Sequence, residues 1–373
     1  VKFLAHWLNR RPRTPGRVAV LRTDRLGDLL LTTPLLRALA AARWEVSVVC
    51  PRAFLPVLEG NPHVADAMGL EDICPLWPAD WRSLARHLRA ARYDALLIPQ
   101  AKPPALMWAS LASGTPYRLV LYGGRWASWT FHARVPNNLV DGSAHYARQV
   151  LSLGAVLGAS VEDIRPEIFL HEAEVSAMRQ LLQDRWRSSP GPLVVIHAGG
   201  GHLRSGARSS ACNLTADEYA RLSGLLLQHS DAKVVVTGGQ DEVSLLEKAW
   251  TSWVDHPRCW FAVGRFALRP FAALLRLADL TIVGSTGPLH LASAVGGTTL
   301  SPFCPMPGNN AVTWGNTGGA GHVLERSSNS CPRCQGQSAA CGDFAGEINA
   351  VQLFDRACAI LKISPSGAPH RAP

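Results

Sequence analysis

The sequence predicts an α/β protein made of two Rossmann-like domains, each a parallel sheet covered by helices on both faces. Three observations predict it. Short, continuously apolar runs rich in Val, Ile and Leu alternate with longer stretches of helical period. The runs lack the in-out alternation of a half-solvated sheet, so both of their faces are buried, as in parallel sheets. The series also stops and restarts midway along 373 residues, a length beyond the usual single core.

In the first half the expected strands are 18–21, 46–49, 95–98 and 118–121, with helical stretches at 35–42 and 81–91 between them. A helix over 144–157 and the connector "GASVEDIRPEIFLHE" then interrupt the alternation. In the second half the expected strands are 193–197, 233–237, 280–284 and 298–303, separated by helices at 216–228, 242–250 and 271–278. The expected domains are residues 1–165, residues 166–345, and a closing segment 346–373. In that last segment "AVQLFDRACAILK" is a helix crossing back onto the first domain, and "SPSGAPHRAP" is a disordered tail.

Composition narrows the partners. The net charge is +9, carried more by arginine than by lysine, which favours phosphate-rich or otherwise acidic partners. No helix-turn-helix, zinc-finger or RNP-like pattern accompanies it, so nucleic acid is not expected. The leader "VKFLAHWLNRRPR" is too short and lacks the cleavage site of a signal peptide, and no later run is apolar enough to span a bilayer. A cytoplasmic protein is expected, peripheral at most on the inner membrane; the leader suits a membrane-surface segment and a frayed basic end equally. Nine cysteines, an odd number and mostly scattered as at Cys50, Cys74, Cys212 and Cys259, suit reduced core thiols.

Ligands of doubly wound sheets sit beyond the carboxyl ends of the strands, and two such domains facing one another enclose a cleft. Four stretches therefore hold the candidate residues. In "RLGDLLLTTPLL", Gly27 allows a tight turn and Asp28 falls at the mouth of the cleft, in the first turn of a helix or just before one that starts at Thr33. A carboxylate there suits a general base toward a hydroxyl; complementing a helix N-terminus, or pairing with Arg22 or Arg25, suits it as well. In "VVIHAGGGHLRSGARSS", Gly199, Gly200 and Gly201 bring backbone N–H groups to an anion, and Arg204 and Arg208 add charge for a diphosphate; the alternative is a surface turn. In "VVVTGGQDE", Gly238 is followed by Glu242, which either accepts from ribose hydroxyls or caps the next helix. In "ADLTIVGSTGPLHLASAVG", Ser285, Thr286 and Gly287 offer hydroxyls and backbone donors at a helix N-terminus, with His290 one turn further in.

Together these four stretches resemble glycosyltransferase family 9, the bacterial heptosyltransferases of lipopolysaccharide synthesis, over about residues 17–351. The resemblance implies a GT-B fold, an acceptor-binding first domain, a donor-binding second domain, and inverting, metal-independent transfer without a cofactor. It makes Asp28 the general base, with Gly27 and Arg25 beside the acceptor. Thr286, Gly287, His290 and the basic side chains then stabilise the departing diphosphate of a nucleotide sugar, ADP-heptose being the first donor to test. The implied acceptor is an anionic glycolipid. The alternatives are another sugar-nucleotide enzyme of the same architecture, such as an epimerase, or a non-catalytic nucleotide-sugar or glycan-binding protein. This chain has Ser285 where many members have Asp, and "SACNLTADEY" where many have Lys-Arg-Trp-Pro.

"CPRCQGQSAAC" sets Cys331, Cys334 and Cys341 close together, a zinc-like spacing that lacks a second CxxC; reduced thiols or a local disulfide rank ahead of structural zinc. His145 and Arg148, on the amphipathic helix that ends the first domain, suit contact with the acceptor, but solvation is the expectation.

Overall fold

A computed structural model describes residues 14–70, 78–100, 104–122, 133–134, 143–187, 190–200, 214–305, 308–325 and 348–364. The chain divides into two units, Val1–Phe169 and Leu170–Pro373.

The first unit runs β1 (Arg17–Leu21), α1 (Leu26–Leu30), α2 (Thr33–Ala41), β2 (Glu45–Pro51), β3 (Asp66–Leu70), α3 (Pro78–Ala91), β4 (Ala95–Gln100), α4 (Pro104–Ala112), β5 (Tyr117–Tyr122), β6 (Ala133–Arg134) and α5 (Tyr146–Val156). Its six strands are all parallel, in the order β3-β2-β1-β4-β5-β6. The central strand β1, RVAVL, is buried from Val18 onward because β2 and β4 flank it and helices cover it. Helix α2 starts beside Pro34, whose missing N–H costs nothing in a first turn, and buries Leu35, Leu36 and Leu39. Helices α3 and α4 lie on one side of the sheet, where Leu84, Leu88, Leu106 and Ala109 pack on Leu21, Leu96, Ile98 and Val120.

The second unit runs α6 (Glu172–Trp186), β7 (Leu193–His197), α7 (Ala216–His229), β8 (Lys233–Thr237), α8 (Val243–Ala249), β9 (Cys259–Phe261), α9 (Leu268–Leu277), β10 (Leu280–Val283), α10 (Gly287–Ala294), β11 (Thr299–Phe303), α11 (Ala311–Trp314), β12 (Gly321–Glu325) and α12 (Ala350–Leu361). Its sheet, again wholly parallel, has the order β12-β11-β10-β7-β8-β9. Counted from its own first strand, this repeats the order of the first unit. Helix α6 is fastened to α9 by a two-pronged ion pair in which Arg269 Nε and Nη2 meet the Glu174 carboxylate at 2.6 and 2.5 Å. Helix α12 packs on α7 and sinks Leu353, Phe354 and Ala357 into the second unit's core. Asn349 and Gln352 cap its start reciprocally, each side chain accepting from the other's backbone N–H.

In both sheets the strand order reverses between the unit's first and fourth strands, β1 and β4 in one, β7 and β10 in the other. The carboxyl ends of these strands are where doubly wound sheets open a crevice for ligands.

Candidate functional site

At the end of β1 the backbone N–H of Arg22 still donates to Val49 on β2, so the chain leaves the sheet only after this residue. The Arg22 side chain is fully buried and gathers three partners. Its Nε lies 3.0 Å from Asp24 Oδ1, its Nη2 lies 2.9 Å from Asp28 Oδ1, and Nη2 donates to Tyr146 Oη at 2.6 Å. The guanidinium carbon stands 5.3 Å from the centre of the Tyr146 ring. Asp28 sits in the first turn of α1, where Gly27 is buried and Arg25 is the exposed residue before the helix. Arg22, not Arg25, is the cation that holds it. The Asp28 side chain stays 16% exposed, so the carboxylate is oriented from behind and open in front.

One cation between two carboxylates leaves a negative surplus, and the surplus falls on Asp24. Burial first, and then the Asp28 charge, push the Asp24 carboxyl up to about 6 against the pull of Arg22 and Arg25. Burial pulls the Arg22 guanidinium down, but Asp24, Tyr146 and Asp28 outweigh it and the net direction is up. Burial also raises the Tyr146 phenol, so the hydroxyl beside Arg22 is a neutral group. Asp24 and Tyr146 have no place among the residues singled out from the sequence. Asp24 had a signal, an acid four residues before Asp28 in the same turn; Tyr146, more than a hundred residues away, had none. Its neighbour His145 is buried rather than solvated, because its Nδ1 caps α5 by accepting from Ala147 N at 3.2 Å, while Arg148 is exposed.

In the second unit the loops after β7 and β8 converge on Glu242. Its Oε1 accepts from Gly200 N at 2.8 Å and its Oε2 from Gly239 N at 2.7 Å. This carboxylate, buried in the 3-10 turn Gln240–Glu242, therefore caps that turn and also ties the β7 loop to it. A methyl group on Gly199 would fall 2.0 Å from Glu242 Oε2 and displace the carboxylate that both amides hold, and one on Gly238 would fall 2.8 Å from Leu246 Cδ1, a side-chain end that would have to shift. His197, the last residue of β7, has Nδ1 3.0 Å from Thr237 Oγ1; burial lowers its pKa to about 4, although the Glu242 charge pulls the other way. Gly201, Arg204 and Arg208 lie outside the described residues, as do Cys331, Cys334 and Cys341.

After β10, Ser285 and Thr286 are half-buried and lead into α10. Thr286 stands at the N-cap with extended backbone but gives no side-chain cap; its Oγ1 reaches back to Gly284 O at 3.4 Å. Gly287 opens the helix and Pro288 follows it. Tyr219 of α7, fully buried, supports this turn from beneath through its bond to the Gly284 backbone. His290 is 4% exposed, and its ring lies 6.1 Å from that of Trp314. Among the described residues no group of three or more His, Cys, Asp or Glu is placed to hold a metal ion, and no helix is long and apolar enough to cross a membrane.

The two units thus offer different chemistry at equivalent places. The β1 end holds an oriented carboxylate, suited to taking a proton from a hydroxyl. The β7 and β10 ends hold glycine-rich turns and a helix N-terminus, suited to an anion.

Comparison with known proteins gives the family and the fold. The model of "Glycosyltransferase family 9 (heptosyltransferase)" matches residues 81–317, more than half of the chain. A protein of Haemophilus influenzae, named provisionally as a glycosyltransferase, is 27% identical over 299 residues, 74% of this chain and 79% of that one. Among solved structures, ADP-heptose LPS heptosyltransferase II of E. coli superposes with a TM-score of 0.71 at 16% identity, covering 93% of this chain and 98% of its own. The family 9 glycosyl transferase of Veillonella parvula gives 0.70 at 18% identity, with 93% and 97% covered. An E. coli heptosyltransferase with ADP gives 0.60 at 16%, with 92% and 99% covered.

Proposed function

We propose, from the premise that this chain belongs to glycosyltransferase family 9 and has the GT-B fold, that it moves a heptose or closely related sugar from a nucleotide diphosphate, ADP-heptose first, to an anionic glycolipid such as a lipopolysaccharide core. The acceptor hydroxyl attacks the anomeric carbon while Asp28 takes its proton. The bond from that carbon to the diphosphate oxygen breaks, and the nucleoside diphosphate leaves with the electron pair, so the configuration inverts. The observation that carries this reading is the Asp28 carboxylate, gripped by Arg22 at 2.9 Å and open to solvent at the reversal point of the first sheet.

The E. coli relative with ADP supports a nucleotide donor for this chain by analogy. In the second unit Thr286, Gly287 and the N-terminus of α10 receive the diphosphate, and the loops pinned by Glu242 shape the donor site beside them. Fixed N–H and hydroxyl donors aimed at developing negative charge supply the stabilisation that transfer without a metal needs. Arg204, Arg208 and Gly201 are assigned to the same diphosphate from their sequence position, and His290 to donating toward a phosphate oxygen. Gly27 and Arg25 are assigned to the acceptor side. The net charge of +9 suits an acceptor rich in phosphate or acidic sugar at the inner face of a membrane.

The test is mass detection of product from candidate ADP- and UDP-sugars with a lipid-core acceptor, run beside Asp28→Asn. Loss of a general base lowers kcat by about 10²–10⁴-fold. A D28N protein that transfers near the wild-type rate removes Asp28 from the base role. Donor turnover that needs no acceptor moves the chain to the epimerase alternative. Donor binding with no turnover moves it to the binding-protein alternative.

A further inference from the structure

We propose that the outer side of the α3–α4 layer is a docking face for an anionic lipid bilayer, with arginines of α3 on headgroup phosphates and the uncharged helix α4 setting Trp108 at the acyl boundary. The two helices pack against each other, and both turn their apolar residues toward the same side of the first sheet. The sides turned away from that cluster therefore share one surface of the unit.

That surface has two parts. On α3, Arg82, Arg86 and Arg89 follow one another at spacings of four and three and form one exposed stripe, with exposed Arg92 just past the helix end. Among the described residues none of the four forms an ion pair, and Asp80 is the only acid in the α3 sequence. On α4, PALMWASLA, there is no charged residue; Leu106 and Ala109 are buried, Met107 and Leu111 are half-buried, and Trp108 is 53% exposed.

On this surface one helix supplies arginines that meet no counter-charge among the described residues, and the helix packed on it supplies one large exposed apolar side chain. They match a bilayer surface, where anionic phosphates lie above an apolar boundary and tryptophan settles between the two. The guanidinium fork suits phosphate oxygens. Pairing two copies through this face would bring two arginine stripes together, which disfavours a dimer as the occupant. For its purpose the proposal rests on the reading of a glycolipid acceptor, since such an acceptor is reached from the membrane surface.

The full chain is tested by co-sedimentation with phosphatidylglycerol/phosphatidylethanolamine vesicles and with phosphatidylcholine vesicles at physiological salt, without nucleotide sugar. Wild type is expected to partition onto the anionic vesicles and not onto the neutral ones. At roughly fivefold per arginine near the surface, R82Q/R86Q/R89Q is expected to bind them about 100-fold more weakly. W108S is expected to weaken binding severalfold, with circular dichroism unchanged in both variants. The proposal is overturned if wild type ignores anionic vesicles, if it binds neutral ones equally, if the variants bind like wild type, or if light scattering shows a dimer that W108S dissolves. The same variants are assayed for transfer to a water-soluble, lipid-free acceptor. Retained transfer with lost vesicle binding supports docking, and vesicle binding without transfer to any acceptor overturns the functional reading while leaving the docking face in place.

Discussion

Replacing Asp24 by Asn should stabilise the first unit in alkaline solution and do nothing in acid. Arg22 supplies one positive charge to two carboxylates, with Asp24 Oδ1 at 3.0 Å and Asp28 Oδ1 at 2.9 Å. In the folded chain the Asp24 carboxyl titrates at about 6, against an ordinary 3.8, chiefly because burial penalises its charge. Folding therefore favours the protonated form. Its stabilising effect is complete below 3.8 and is lost as pH rises through 6. The gap corresponds to a stability difference on the order of 3 kcal/mol. Asn keeps the size and an oxygen for Arg22, discards the charge, and leaves Arg22 and Asp28 as a balanced pair. Urea denaturation of wild type and D24N at pH 8 and pH 4 measures the difference, read from whichever of the two units' transitions moves. A gain of 1–3 kcal/mol at pH 8 that fades toward pH 4 is expected from the same titration gap, roughly. If D24N is less stable than wild type at pH 8, attraction to Arg22 outweighs burial and Asp24 does not carry the surplus charge.

Gly199→Ala places a methyl 2.0 Å from Glu242 Oε2 and so separates the β7 loop from its anchor; a loss of about 1–3 kcal/mol in the second unit and a raised donor KM are expected, checked by thermal melting and by initial rates. His197, with its pKa lowered to about 4, folds as the neutral imidazole, so the unfolded chain binds the extra proton between 6.5 and 4 and stability falls as pH drops through that window. His197→Gln should flatten that acid loss, by on the order of 2 kcal/mol between pH 7 and pH 4.5, in urea midpoints; an unchanged slope would show that the imidazole is not its source.

The inner strands were legible because burial on both faces makes them uniformly apolar: β7 and β8 lie where the sequence puts them, and β1, β2, β4, β5, β10 and β11 differ only at their ends. The strands without a signal in the sequence are β3, β6, β9 and β12, and among the described residues these are the edge strands. An edge strand has one neighbour and more solvent, so DAMGL and GHVLE carry little apolar signal, and CWF and AR are too short to carry one. Helix α6 lacks a clear signal because it buries only Val175 and Met178 and leaves apolar residues such as Leu181 exposed among its polar ones. At the site, Gly27, Asp28, Gly199, Gly238 and the Ser285–Thr286–Gly287 turn follow strands, and that position is a local property a sequence displays. The Arg22 that holds Asp28 is local and was within reach of the sequence, but the further partners are not: Tyr146 joins Arg22 across more than a hundred residues, and Glu242 bonds Gly200 across forty-two. Such pairings are made by the winding of the sheet.

The double grip of Glu242 has a mechanical corollary. Because one carboxylate answers to the amides of both Gly200 and Gly239, neither loop can be displaced without loosening its neighbour. Anything that tugs on one of them is felt at the other, and reshaping either loop alone means working against an anchor that both of them share.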